Sequence, residues 1–129
     1  MPIELTMLAW SATLCVILAV PYTVGLIGER GLPQVAGNRE NFAPPTGWMG
    51  RAQRAHRNLV ENLIPCAALI LCVVVANKTS GTTALAAQLF FWARLVHAAV
   101  YIIGIPWLRT GAFAVSVAAM AMLLVSLLG

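Results

Sequence analysis

The stretch Arg51-Ala-Gln-Arg54-Ala-His56-Arg57-Asn58-Leu-Val-Glu61, with Pro65 one turn further on, spaces its polar residues by three and four positions. In a helix turning about 100° per residue, Arg51, Arg54, Asn58, Glu61 and Pro65 fall within roughly 80° of one another and form one stripe. Arg94, His97 and Tyr101 stand at i, i+3 and i+7 and form a second stripe, and Arg109 follows eight residues later. Guanidinium groups bind carboxylates through forked, charge-assisted hydrogen bonds. Arg51, Arg54 and Arg109 have too few carboxylates near them in the chain to be neutralised. Side chains of these types, converging on one place, predict a cationic pocket that takes an anion.

The elements that must position them are set by composition. The chain has 129 residues, of which 60% are hydrophobic and only 9% charged, and its mean hydropathy is +0.86. A soluble domain has about a quarter of its residues charged, so water is not the main solvent. A bilayer core about 30 Å thick needs about 20 mostly apolar helical residues. The uncharged run from Leu5 to Gly28 meets that length, and apolar runs follow near Leu59–Ala76, Thr83–Ile105 and Gly111–Leu128. The reading is an all-α membrane protein: one four-helix transmembrane domain over residues 1–129, with spans near 5–28, 50–76, 83–105 and 108–128. Residues 29–49 form a Gly/Pro-rich loop, and Asn77-Lys78-Thr79-Ser80-Gly81 forms a polar turn. The first run is too long, and lacks the basic flank, for a cleaved signal peptide. Pro21 predicts a bend or an early helix end near Tyr22. Alanines 112, 114, 118, 119 and 121 predict close packing of the last span.

Charge placement predicts orientation, because Lys and Arg near span ends are retained on the cytoplasmic side. Arg30, Arg39, Arg51, Arg54, Arg57 and Arg109 belong to one side and Lys78 alone to the other. The large loop is therefore expected in the cytoplasm and both termini outside, in a bacterial inner membrane or an endomembrane. Ionised groups at membrane depth normally face the bundle interior or a wet cavity, so both stripes are expected to look inward. Glu61 lies about 15 Å along its helix from Arg51, and Arg94 about 14 Å from Ile103, at 1.5 Å per residue. In antiparallel helices these two reach a similar depth, which predicts a buried Glu61–Arg94 ion pair that either fixes helix register alone or also serves the pocket. His56 points away from the Arg51 stripe, towards lipid in a monomer or towards the next subunit in an oligomer. Cys15, Cys66 and Cys72 sit in apolar stretches, where a thiol behaves as a small hydrophobe. No metal-ligand spacing appears. Trp10, Trp48, Trp92 and Trp107 are assigned no chemistry, two of them being interfacial anchors.

The Arg51–Glu61 stretch with Pro65, then Arg94-Leu-Val-His97-Ala-Ala-Val-Tyr101, then Arg109 after a proline, resembles the membrane-associated proteins in eicosanoid and glutathione metabolism, the MAPEG family. That family includes microsomal glutathione transferases, microsomal prostaglandin E synthase and leukotriene C4 synthase. The resemblance implies a homotrimer with glutathione bound between subunits near the cytoplasmic face. It implies that Arg54, Asn58 and Glu61 hold the peptide part, that His97 and Tyr101 line the site, and that Arg109 lies near the sulfur as the catalytic group. Arg51 matches less closely, and Arg30 loosely resembles a first-helix arginine that reaches a neighbouring site.

Glutathione carries two carboxylates, an ammonium and a thiol, and calls for arginines, one acid and a cation beside the thiolate. Arg109 would stabilise the thiolate, and Glu61, oriented by Arg94, would accept the ammonium. The link Ile102-Ile-Gly-Ile-Pro-Trp-Leu108 is strongly apolar, where the prostaglandin synthase branch has extra basic residues, so the substrate need not be an eicosanoid. Three functions follow. The first is a glutathione transferase or peroxidase acting on lipophilic small molecules. The second is a non-catalytic membrane ligand-binding or scaffold protein of the same fold. The third is a small transporter using Glu61, Arg94 and His97 as a polar relay. The expected partners are glutathione, a lipophilic substrate, membrane lipids and further copies of the chain, with no nucleic acid and no metal.

Overall fold

The computed structural model describes all residues 1–129. It contains α1 (Ile3–Arg30), a short α2 (Leu32–Ala36), α3 (Gly47–Val75), α4 (Gly81–Ile103) and α5 (Pro106–Leu128), and no strand. The four long helices are each long and apolar enough to cross a membrane. Only 28 of 129 residues are buried, so most of the apolar surface faces outward, as lipid rather than water requires.

α1 does not end near Tyr22. It runs through Pro21 to Arg30, and α3 likewise runs through Pro65. A proline removes one intrahelical hydrogen bond, whereas ending the helix inside lipid would strand several backbone groups. The Thr23 hydroxyl donates to the Ala19 carbonyl at 2.6 Å, which adds a bond next to the interruption. The chain from 31 to 46 is also not all loop, since Leu32–Ala36 forms a helical turn.

The core is a seam of apolar side chains from all four spans, with Met7, Leu14 and Leu18 of α1 and Leu59, Cys66, Ile70 and Val73 of α3. Ala86, Ala87, Phe90, Phe91 and Ala98 of α4 and Ala119 and Leu123 of α5 complete it. On α5 the close-packing face is Ala112, Ser116, Ala119 and Leu123, spaced by four, three and four. Alanines 114, 118 and 121 face outward, so only two of the five alanines do the packing expected of the run.

The two ends of the bundle use their polar residues differently. At the end holding the N-terminus, the α3–α4 turn and the C-terminus, Glu4, Lys78, Ser80 and Thr83 fasten the fold. Ser80 and Thr83 form a reciprocal capping box at the start of α4, satisfying otherwise orphaned N–H groups. The Thr83 hydroxyl donates to Glu4 Oε1 at 2.6 Å, which ties α1 to α4 through a carboxylate only 3% exposed. Lys78 Nζ donates to the Leu127 carbonyl at 2.8 Å, closing the C-terminus of α5. At the opposite end, Gly104 terminates α4 with φ 98, a left-handed conformation that glycine adopts without steric cost. Gly25 permits a close approach of α3, because a Cβ there would stand 2.8 Å from Met49 Sδ.

Candidate functional site

The buried face of α3 consists of Ala52, Ala55, Leu59, Cys66, Ile70 and Val73. The polar stripe flanks this face and does not coincide with it. Arg54 and Glu61 are exposed, and Asn58 and Arg51, on the edge nearer the packed face, are half-buried. The expectation that both stripes look inward therefore holds for α4, where Arg94 and His97 are buried, and fails for α3.

The predicted Glu61–Arg94 ion pair is not formed. Arg94 Nη2 donates to Asn58 Oδ1 at 2.5 Å and Nη1 lies 3.4 Å from Ser116 Oγ. The only ion pair in the molecule joins Arg30 to Glu29 at 3.8 Å. Depth was a correct guide and rotation was not: Asn58, one turn from Glu61, is the residue that the packing of α3 turns towards α4. Arg94 is 1% exposed, so a full charge sits in the bundle with neutral oxygen acceptors and no carboxylate. Its Nε has no partner.

Above Arg94 opens a cavity of about 280 Å³ lined by Asn58, His97, Tyr101, Arg109, Thr110 and Phe113. Its geometry comes from three helices. α3 supplies Asn58, the C-terminal half of α4 supplies His97 and Tyr101 one turn apart, and the first turns of α5 supply the rest. Proline at the first position of α5 suits a helix start, where its missing N–H would be unpaired anyway. The Arg109 guanidinium lies 4.5 Å from the centroid of the Tyr101 ring and that of Arg54 6.0 Å from it. Both are within cation–π range, so two cations approach the phenol ring. The His97 ring meets Tyr101 edge to face at 5.5 Å. His97 is 2% exposed and its Nδ1 has no partner in the fold. A buried ring nitrogen without a partner costs free energy comparable to a lost hydrogen bond.

Asn58, Arg94, His97, Tyr101 and Arg109 are thus brought together, with Arg54 at the rim. Arg51 lies beside them, but its Nε donates to the Ile102 carbonyl at 2.8 Å, capping the C-terminal end of α4. Glu61 faces away on the exposed side of α3. Arg30 is not at this cavity, since it donates to the Ala43 and Pro44 carbonyls and lies 4.3 Å from the Phe42 ring centroid, pinning the loop before α3. Thr110 and Phe113 were not foreseen. Their signal was their offset from Arg109, one and four residues, legible once α5 is known to begin at Pro106. His56 packs against α1 of its own chain, beside Cys15 and Tyr22.

Guanidinium, phenol, carboxamide and imidazole groups surround this cavity and no carboxylate lines it, so it suits an anionic ligand rich in hydrogen-bonding groups. No curated protein matches the chain at a significant level. The model of the MAPEG family matches residues 6–129, nearly the whole chain, and with the four apolar helices and this cavity it establishes that the chain is an integral membrane protein belonging to that family.

Proposed function

We propose that the protein is a glutathione-dependent membrane enzyme, a transferase or peroxidase acting on lipophilic electrophiles. The observation that carries this reading is the cavity in which Arg109 and Arg54 flank Tyr101 above a buried, carboxylate-free Arg94. Glutathione supplies the nucleophilic thiol. Arg109 holds the negative charge of the thiolate, since a neighbouring cation lowers a thiol that otherwise titrates near about 8.5. Arg54 and the free nitrogens of Arg51 take carboxylates, and Asn58 and Tyr101 hydrogen-bond the peptide. Ile103, Ile105, Trp107 and Leu108 around the α4–α5 turn are exposed, an apolar surface along which a lipid-dissolved substrate approaches the end of the bundle that holds Arg109.

Glu61 extends the reading to a homotrimer. It is the fifteenth of the 29 residues of α3, about 21 Å from either helix end at 1.5 Å per residue. A carboxylate exposed to lipid at that depth is costly, and a neighbouring copy packed against this face of α3 covers it. The cavity of one chain, about 280 Å³, falls just below the roughly 300–1,000 Å³ of ligand pockets, as expected if a second chain supplies a wall.

Isothermal titration of the solubilised protein with glutathione tests the reading. Saturable binding is expected from a particle of three times the 13.7 kDa chain mass. A folded, monodisperse preparation without saturable heat at millimolar glutathione would remove the function, and a monomer that binds equally well would remove the shared site.

The arginines on the α1–α3 and α4–α5 connections support an orientation with the large loop in the cytoplasm and both termini outside. A cysteine introduced at Arg39 is expected to resist an impermeant maleimide in intact cells. Labelling there before lysis would invert the topology.

A further inference from the structure

On the side of α3 facing away from the cavity, three reactive side chains converge between α1 and α3. Cys15 Sγ lies 3.8 Å from His56 Nε2, and Tyr22 Oη lies 3.1 Å from His56 Nδ1. Cys15 and Tyr22 are seven residues apart, two helical turns, so they lie on one face of α1 and bracket the imidazole. All three are half-buried. They are neither in the closed core, as Cys66 is, nor open and unaccompanied, as Cys72 is. The arrangement has the three parts of an activated nucleophile: a thiol, a base within reach of it, and a third group orienting the base. We propose that Cys15 is a covalent capture site for lipophilic α,β-unsaturated carbonyl compounds, with His56 as its base and Tyr22 as the group that positions the base.

The tautomer that serves this chemistry has Nδ1–H donating to Tyr22 Oη and leaves the Nε2 lone pair facing the sulfur. Separating thiolate from imidazolium in an apolar surround is costly, so the proton leaves as the new bond forms. Cys15 Sγ attacks the β-carbon, the S–C bond forms and the C=C π electrons move onto the carbonyl as an enolate. The Sγ proton passes to His56 Nε2 and from there to the α-carbon. The product is a saturated thioether, His56 is neutral again, and no oxidant or reductant is consumed. The reagent class follows from the location, because a site within the span meets compounds that partition into lipid. Glutathione has no part in this step, so the site stands or falls independently of the cavity at Arg109.

The test treats the detergent-solubilised protein, without glutathione, with trans-2-nonenal and follows adducts at each cysteine by peptide mass spectrometry. Cys72, exposed and without an imidazole, is the internal reference. Cys15 is expected to react on the order of a hundredfold faster than Cys72, the lower range of general-base contributions. His56→Gln, which can still hydrogen-bond Tyr22 but cannot take the proton, is expected to bring Cys15 down to the Cys72 rate. Tyr22→Phe, which frees the imidazole to adopt either tautomer, is expected to give an intermediate rate. Cys72 reacting as fast as Cys15 in the unaltered protein would overturn the proposal whether or not the variants fold. An unchanged Cys15 rate in folded His56→Gln would overturn the role of the base.

Discussion

Arg109→Ala is expected to lower the conjugation rate of glutathione with chlorodinitrobenzene by about 10² to 10³-fold at neutral pH, the cost of losing one preorganised partner of a developing anion. Glutathione affinity is expected to change by less than about tenfold, or ~1.4 kcal/mol. The asymmetry follows from the site. Arg54 and Arg51 stand on α3 and keep their positions when the first turn of α5 loses a side chain, so carboxylate contacts persist. The thiol loses its cationic neighbour and returns towards about 8.5, so thiolate absorbance falls at neutral pH and the rate recovers as pH rises. Parallel loss of binding and rate at every pH would make Arg109 an anchor for the ligand. If the unaltered protein binds glutathione, shows no thiolate and turns over no electrophile or hydroperoxide, the enzyme reading fails and a ligand-binding protein of the same fold takes its place.

Asn58→Leu is expected to destabilise the bundle by about 1.5–3 kcal/mol, the worth of a hydrogen bond to a charged group. Arg94 keeps its charge, is 1% exposed, and would retain only the long contact to Ser116 at 3.4 Å. Replacing both partners by apolar residues removes the unmet demand along with the bond, so Asn58→Leu with Arg94→Met is expected to be more stable than Asn58→Leu alone. Reversible unfolding in mixed micelles, read as a double-mutant cycle, measures the coupling. The same cycle run with Glu61→Gln in place of Asn58→Leu is expected to show none. Coupling of Arg94 to Glu61 rather than to Asn58 would restore the ion pair that the spacing predicts and the structure does not form.

Several levels of this protein were legible in the residues. Hydropathy is additive along a run, so the four spans could be counted from composition alone, and the cationic end could be identified because arginine placement needs no tertiary information. The stripe of Arg94, His97 and Tyr101 was readable because helical period fixes the angles among residues of one helix. The short-range offsets of Thr110 and Phe113 from Arg109 were present too, but they acquired meaning only with the position of the helix start at Pro106.

The rotation of each helix about its own axis was not legible. Period relates residues within a helix and says nothing of how that helix is turned towards its neighbours, which is decided by how Ala52, Ala55 and Leu59 seat against α1 and α4. That seating turns Asn58 towards Arg94, leaves Glu61 on the outer face and directs His56 to Cys15 and Tyr22. The Thr83–Glu4 bond spans 79 positions of the chain, a separation at which local pattern carries no pairing signal. The sequence by itself determined which chemical groups stand at which depth and which end is cationic. Tertiary structure decided which of those groups touch, because contact between helices depends on packing geometry that no single helix contains.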